Sequence, residues 1–207
     1  MPESRFDPKT APVLLGDHRH QVGGLLLQTY ESVVRPRSAI YCSAPITSGR
    51  RYLQWLTSQQ GRQVIDDLSE ADKRLHQQQV IEPNKSHARE VADRLRQRTN
   101  KPVIDPTVVG PIDRWRQADW IAFWEDVIAR FAFEIALVDG WEYSYGCTHE
   151  FWFAHSRGLT NRDEAGNPLT PAEGVRRIQA AIAELKQARA DTSKLDRVVE
   201  LLRRIGS

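Results

Sequence analysis

The segment that most constrains the fold is an apolar run at 133–138, followed by a glycine-containing loop and a second apolar stretch at 151–158. The first run has the length and composition of a buried strand, and the second reads as a helix that Gly158 closes. This succession places the loop at the carboxyl edge of a sheet, where α/β proteins bind ligands. We therefore predict that Glu150 lies in the first helical turn and faces that edge.

Two further apolar segments, 39–44 and 101–106, are bounded by prolines and are predicted to be strands. A helix is predicted from 87 to 98, with Ser86 as its N-cap, and another within 111–131, where apolar residues recur at helical spacing. Strands that alternate with helices in this way predict an α/β protein with a parallel sheet and helices on both faces.

The predicted α/β domain spans 39–160, with an N-terminal arm at 1–38 and a C-terminal helical extension at 161–207. The arm contains one segment, 24–34, that fits either a strand or a helix. The polar stretch 59–85 is predicted to be an extended insertion or a helix lying over the site.

Two amphipathic helices are predicted in the extension, at 171–189 and 193–205. Thr170 is suited to cap the first of them, with Pro171 at its first position and Glu173 completing a capping box. The apolar face of this helix fits the core of the chain as well as it fits a second subunit.

The charge balance argues against partners bound by bulk attraction. The 207 residues include 29 basic and 27 acidic side chains, a net charge of +2, so neither nucleic acid nor a membrane is an expected partner. No apolar run is long enough to span a membrane, and the first residues lack the apolar core of a signal peptide. Cys42 and Cys147 are predicted to be unpaired thiols of a cytoplasmic protein. No metal-binding motif is visible, and we expect no metal and no cofactor.

Two motifs resemble the nucleoside 2-deoxyribosyltransferase-like superfamily. The first is Ile40-Tyr41-Cys42-Ser43-Ala44-Pro45-Ile46, and the second is Gly140-Trp141-Glu142-x-Ser144-x-Gly146-x-x-x-Glu150-x-x-x-Ala154-x-x-x-Gly158. The resemblance spans roughly 39–160 and implies a flavodoxin-like, doubly wound sheet. It also implies hydrolysis or transfer at the N-glycosidic bond of a nucleoside or nucleoside 5′-monophosphate, in a homodimer or larger homo-oligomer.

The resemblance assigns the nucleophile of this reaction to Glu150, which would form a covalent glycosyl-enzyme ester. A helix-start charge is the alternative interpretation of this residue. The aspartate that positions the sugar corresponds to Asp126, with Asp119 as the alternative. Tyr41 corresponds to a tyrosine that lines the active site, although a tyrosine packed in the core fits the strand equally well.

The remaining candidate residues are assigned to substrate binding. The glycines Gly140 and Gly146 keep the loop open near the sugar. The first loop and the residues after it are expected to handle the 5′ end, together with Ser144: Ser43, Pro45, Ile46, Arg50 and Arg51. The two arginines are candidates for a phosphate clamp or are solvated loop residues. Trp141 is a candidate to stack on the base, although packing the loop suits it better. His149 is either structural or a proton shuttle beside Glu150.

The chain departs from the superfamily's pattern at Ala44, where a glycine is usual, and in the segments outside 39–160. These departures leave an alternative open, a nucleotide-binding sensor or interaction module that keeps the fold without turnover. A flavodoxin-like domain that binds another phosphorylated ligand is a weaker alternative, because no richer glycine loop is present.

Overall fold

The centre of the protein is a parallel sheet of four strands. The structure is a computed structural model that describes residues 11–58 and 69–205. Its strands are β1 (Ala39–Ser43), β2 (Val103–Ile104), β3 (Ala132–Leu137) and β4 (Thr160–Asp163). They pair in the order β2-β1-β3-β4, and every pair is parallel. The predicted α/β class is confirmed, and the strand order is that of a flavodoxin-like doubly wound fold.

Helices connect and cover these strands. Those of the described ranges are α1 (Ala11–Val33), α2 (Arg50–Ser58), α3 (Glu70–His76), α4 (Glu82–Arg98), α5 (Gln117–Phe131), α6 (Tyr145–Ser156), α7 (Pro171–Gln187) and α8 (Ser193–Ile205). One π-helical turn, Gln77–Ile81, joins α3 to α4 without a break. Short 3-10 turns follow β2 at Pro106–Val108 and β3 at Trp141–Tyr143.

The sheet is covered on both faces. On one face, Val91 and Ala92 of α4 pack on Cys42 of β1. On the other face, Ile128 of α5 packs in one cluster with Tyr41. This arrangement puts the β1 and β3 carboxyl ends at the point where the chain switches faces, which is where doubly wound folds bind ligands.

The C-terminal helices belong to the core of the same chain. Ile178, Ala181 and Leu185 of α7 are buried in one cluster with α8 and with Phe151 of α6. The approach of α7 to α6 is very close at Gly174, because a Cβ there would lie 2.1 Å from the Phe151 ring. The apolar face of α7 is thus used within this chain.

Several predicted boundaries were wrong. The α/β domain was predicted to end at residue 160, but residues 161–163 continue the sheet as part of β4, on its edge beside β3. The sequence of β4, Thr-Asn-Arg-Asp, lacks the apolar residues that mark a strand, and its pairing with β3 decides its conformation. The segment 24–34 is mostly helical, as part of α1, which packs on α5. Residues 1–10 of the predicted arm lie outside the described residues.

The helix starts also differ from prediction. Ser86 lies inside α4 and its hydroxyl donates to Glu90, because the helix already begins at Glu82. Part of the predicted insertion is therefore helical, and its residues 59–68 lie outside the described ranges. In the 111–131 segment, α5 begins only at Gln117, after turns in which Arg114 has a φ of 63°.

The C-terminal boundaries agree more closely with prediction. Helix α7 begins after the predicted Thr170 cap, whose side chain accepts from the Glu173 backbone. It ends at Gln187, and Arg189 then takes a left-handed conformation with a φ of 58°. Helix α8 has the predicted bounds, and Cys42 and Cys147 are free, buried thiols as predicted.

Candidate active site

Glu150 is held by two hydroxyl groups from β1. Tyr41 Oη donates to Glu150 Oε1 at 2.8 Å, and Ser43 Oγ donates to Oε2 at 2.6 Å. Side chains two residues apart in a strand point to the same side, so Tyr41 and Ser43 act as a pair. The fold thus brings Glu150 into contact with two predicted site residues, Tyr41 and Ser43, that lie more than one hundred positions earlier in the sequence.

The position of Glu150 in α6 differs from prediction. The helix begins at Tyr145, so Glu150 is the sixth residue and lies in the second turn. The charge at a helix N-terminus acts mainly on the first turn and does not explain this residue. The contacts with β1 do explain its orientation, and they point its carboxylate at the carboxyl edge of the sheet.

The environment of Glu150 shifts the pKa of its carboxyl group towards neutral pH. Burial raises the pKa of Glu150 to about 7, and the hydrogen bonds from Ser43 and Tyr41 lower it in part. No cation of the described residues forms an ion pair with it. Burial and the neighbouring Glu150 raise the pKa of Tyr41 well above its ordinary value, so Tyr41 remains a hydrogen-bond donor.

A cavity of about 1470 Å³ lies in front of Glu150. Its walls come from the loop after β1, from α2, α4 and α5, and from the turn between α7 and α8. Aromatic side chains that line it include Tyr52, Trp120, Trp124 and Tyr145, and the cationic ones are Lys85, Arg189 and Lys194. Such a concave site with mixed apolar and polar walls is typical of small-molecule binding.

The loop between β3 and α6 is shaped by Gly140. This residue has a φ of 80°, and a Cβ there would lie 3.0 Å from the backbone nitrogen of Arg50. Gly140 therefore permits a tight approach to α2, which is a structural role. Ser144 and Gly146 line the cavity, and Ser144 is buried.

The loop after β1 is fixed by a residue that sequence reasoning missed. Asn84 Nδ2 donates to the carbonyl oxygens of Ile46 (3.0 Å) and Ser48 (2.8 Å). His76 Nε2 lies 2.9 Å from the carbonyl oxygen of Thr47. Ile46, Thr47 and Ser48 line the cavity. Pro45 instead packs against Gly49, where an added Cβ would lie 2.8 Å from the Cβ of Pro45. An asparagine in a polar helix gives no signal in the sequence for this role.

The structure does not place Arg50 or Arg51 on the cavity wall. Arg50 Nη2 lies 3.3 Å from Glu142 Oε1, and its Nε lies 3.9 Å from Asp139 Oδ2. Arg51 Nη1 donates to Asn84 Oδ1 at 3.0 Å. The predicted phosphate clamp is not formed by these residues, because both guanidinium groups are engaged by other side chains.

Asp126 also lies away from Glu150. The cavity face of α5 carries Gln117, Trp120, Ile121 and Trp124, and Asp126 is exposed elsewhere on the helix. A residue two positions beyond Trp124 is rotated by about 200° around an α-helix, which explains the exposure. The alternative, Asp119, closes a capping box by accepting from the backbone of Arg116 at 2.8 Å.

Trp141 is buried and packs on Phe151, with a distance of 4.7 Å between ring centroids. Trp141 does not line the cavity, so its position agrees with the interpretation that it packs the loop.

His149 does line the cavity, and its Nε2 donates to Glu125 Oε1 at 2.8 Å. Glu125 was not singled out from the sequence, where nothing distinguishes it from other helical carboxylates.

No family model, no curated protein and no solved structure matches this chain. Within the described ranges, no cluster of three or more His, Cys, Asp or Glu side chains is suited to hold a metal ion. None of the described helices combines the length and apolar character needed to cross a membrane. The case for a function therefore rests on the fold, the cavity and the residues around Glu150.

Proposed function

We propose that this protein cleaves or transfers the N-glycosidic bond of a nucleoside or nucleoside 5′-monophosphate, with Glu150 as the nucleophile. The observation that carries the proposal is a carboxylate at the β1–β3 switch point that faces a cavity and is held by two hydroxyls. In its ionised form, a carboxylate without a paired cation is free to attack an electrophilic sugar carbon. The two sequence motifs support the same reaction.

In the first step, a Glu150 oxygen attacks the anomeric carbon and the carbon–nitrogen bond breaks. The electrons of that bond leave with the base, which takes up a proton, and a glycosyl ester of Glu150 remains. In the second step, water or another base attacks the anomeric carbon and the carboxylate is released. Tyr41 and Ser43 hold the carboxylate in one orientation and donate to it again when it leaves.

The cavity is large enough to accept a whole nucleotide, and its walls offer suitable partners. Trp120 and Tyr145 provide aromatic surfaces for a base. Lys85 is partly buried and lines the cavity, and it has no ion pair with the described residues. Lys85, Arg189 and Lys194, rather than Arg50 and Arg51, are the cations that a 5′-phosphate would meet there.

The first test is chromatography of the free base released from a panel of ribo- and deoxyribonucleosides and their 5′-monophosphates. The variants are Glu150→Gln and, as a matched control, Asp126→Asn, which changes an exposed carboxylate of α5. We expect release by the wild type and by Asp126→Asn, and none by Glu150→Gln. A 2-fluoro-2-deoxy sugar substrate should trap the ester, and peptide mass spectrometry should locate it on Glu150.

Full activity of Glu150→Gln would contradict the proposal. If a nucleotide bound intact and no panel member lost its base, the protein would be a nucleotide-binding module instead.

A further inference from the structure

His149 occupies a place beside Glu150 that the steps above do not use. It precedes Glu150 in α6 and lines the same cavity, with 14% of its side chain exposed. Its Nε2 lies 2.8 Å from Glu125 Oε1, so the carboxylate of α5 accepts a hydrogen bond from the Nε2–H group. The other ring nitrogen, Nδ1, makes no hydrogen bond to the described part of the chain.

Aromatic packing also restrains the imidazole ring. The ring lies between the aromatic rings of Tyr145 and Trp152, at centroid distances of 5.7 and 5.2 Å. An imidazole with one nitrogen bound to a carboxylate and the other unoccupied is arranged to give and take protons at the unoccupied nitrogen. The same carboxylate–imidazole arrangement orients general bases in other enzymes.

We propose that His149 is the proton carrier of the reaction and that Glu125 is its positioning residue. The inference rests on the proposed function, which requires a proton donor for the departing base. A nucleobase leaves poorly as an anion, and a general acid contributes about 10²- to 10⁴-fold to the rate of such steps.

The proton balance of both steps is met by one residue. As Glu150 attacks the anomeric carbon, the imidazolium of His149 gives its Nδ1 proton to the base nitrogen that leaves. The neutral imidazole then accepts a proton from the water that attacks the ester, and the carboxylate of Glu150 is released. His149 is again an imidazolium, and its Nε2–H group donates to Glu125 throughout.

The alternative is that His149 only ties α6 to α5 through Glu125. A structural role and a proton-carrying role predict different responses to the leaving group. A base that already carries a positive charge leaves as a neutral molecule and needs no proton from the enzyme. A loss of structure, in contrast, lowers the rate for every leaving group.

The experiment compares a purine substrate from the panel with its 7-methylated, cationic form in single-turnover kinetics. A pyrimidine substrate is compared with the 4-nitrophenyl glycoside of the same sugar. The variants are His149→Gln and Glu125→Ala. The control is His87→Gln, which removes another histidine–carboxylate pair, His87 Nε2 to Glu164 Oε2 at 3.0 Å, away from the cavity wall.

We expect His149→Gln to lower the rate for the ordinary substrate about 10²-fold or more, and to change the rate for the activated one less than about threefold. Glu125→Ala should show a smaller loss with the same selectivity, which keeps the test open if one variant does not fold. His87→Gln should not distinguish the two substrates.

Equal losses on both substrates by His149→Gln and Glu125→Ala would overturn the inference. The proposed function would still stand in that case if Glu150→Gln were inactive on both substrates. Absence of base release by the wild type from either substrate would remove the proposed function, and the inference with it.

Discussion

Two carboxylates of the same segment, Glu142 and Glu150, differ in what holds them. Both are at least partly buried, and burial raises the pKa of each. Glu142 faces Arg50 at 3.3 Å and does not line the cavity. Glu150 faces two hydroxyls and open cavity, without an ion pair from the described residues. A guanidinium neutralises a carboxylate, whereas hydroxyls orient it without a counter-charge, so under the proposed function the partner separates a structural carboxylate from a reactive one.

The comparison is tested most strongly by activity. Glu150→Gln should lower the rate of base release by at least about 10³-fold, because the amide is a far weaker nucleophile than the carboxylate. Glu142→Gln should retain most of the wild-type activity per folded molecule. Single-turnover rates, corrected for folded protein by circular dichroism, measure both. Equal losses in the two variants would remove the distinction between the carboxylates.

The substitution Glu150→Gln, which should lower activity, should raise the free energy of unfolding. The folded state raises the pKa of this group from 4.5 to about 7, so it favours the protonated form. Its contribution to stability is complete below the unfolded-state pKa and is lost as the pH rises through about 7. A shift of this size corresponds to at most about 3 kcal/mol.

We therefore expect Glu150→Gln to be more stable than the wild type above pH 7, and the difference to shrink towards pH 4. Urea unfolding of both proteins at a series of pH values measures this difference. A difference that stays constant from pH 4 to 8 would show that Glu150 does not have its raised pKa.

At Glu142, the loss of the cation should destabilise the protein. Arg50→Ala leaves a carboxylate that is 8% exposed without its guanidinium partner. Because half of the Arg50 side chain is exposed to solvent, the expected loss is about 1–2 kcal/mol, below the cost of breaking a fully buried pair. The double variant Arg50→Ala/Glu142→Gln should recover part of this loss in thermal unfolding. No recovery would mean that Arg50 acts through Asp139 or through its contact with Tyr143 instead.

Removing a hydroxyl that holds Glu150 should lower the rate less than removing the carboxylate does. Tyr41→Phe removes one of the two donors to Glu150, and hydrogen bonds to charged groups contribute about 1.5–3 kcal/mol. The rate should fall about tenfold or more, and the pH at which activity reaches half its maximum should move upward, since the ionised carboxylate loses a donor. A downward shift in the pH profile would contradict the role assigned to Tyr41.

The central part of this arrangement could be predicted from the sequence. Apolar runs separated by helical periods predict the parallel sheet, and motifs at the ends of β1 and β3 predict that Tyr41 and Glu150 belong to one site, although their hydrogen bond was not predicted. These features are encoded locally, in short segments whose placement at the sheet edge follows from the topology.

The remaining features depend on contacts between distant segments. β4 has a polar sequence and exists because β3 offers it an edge. The partners of Arg50 depend on how close α2 comes to the loop at Gly140. The face of α5 that meets the cavity depends on how its buried residues Phe123, Trp124, Val127 and Ile128 pack, and this packing leaves Asp126 exposed and Glu125 beside His149.

The close contact between Gly174 and Phe151 links the C-terminal helices to the residue that follows the proposed nucleophile. Its consequence should be visible in any homologous sequences that share α6 and α7. A side chain at 174 would collide with the ring at 151, so the two positions are expected to change together, with alanine or serine at 174 accompanied by a smaller aliphatic residue at 151. Such paired substitutions would mark sequences that keep the close approach of α7 to α6 without a glycine.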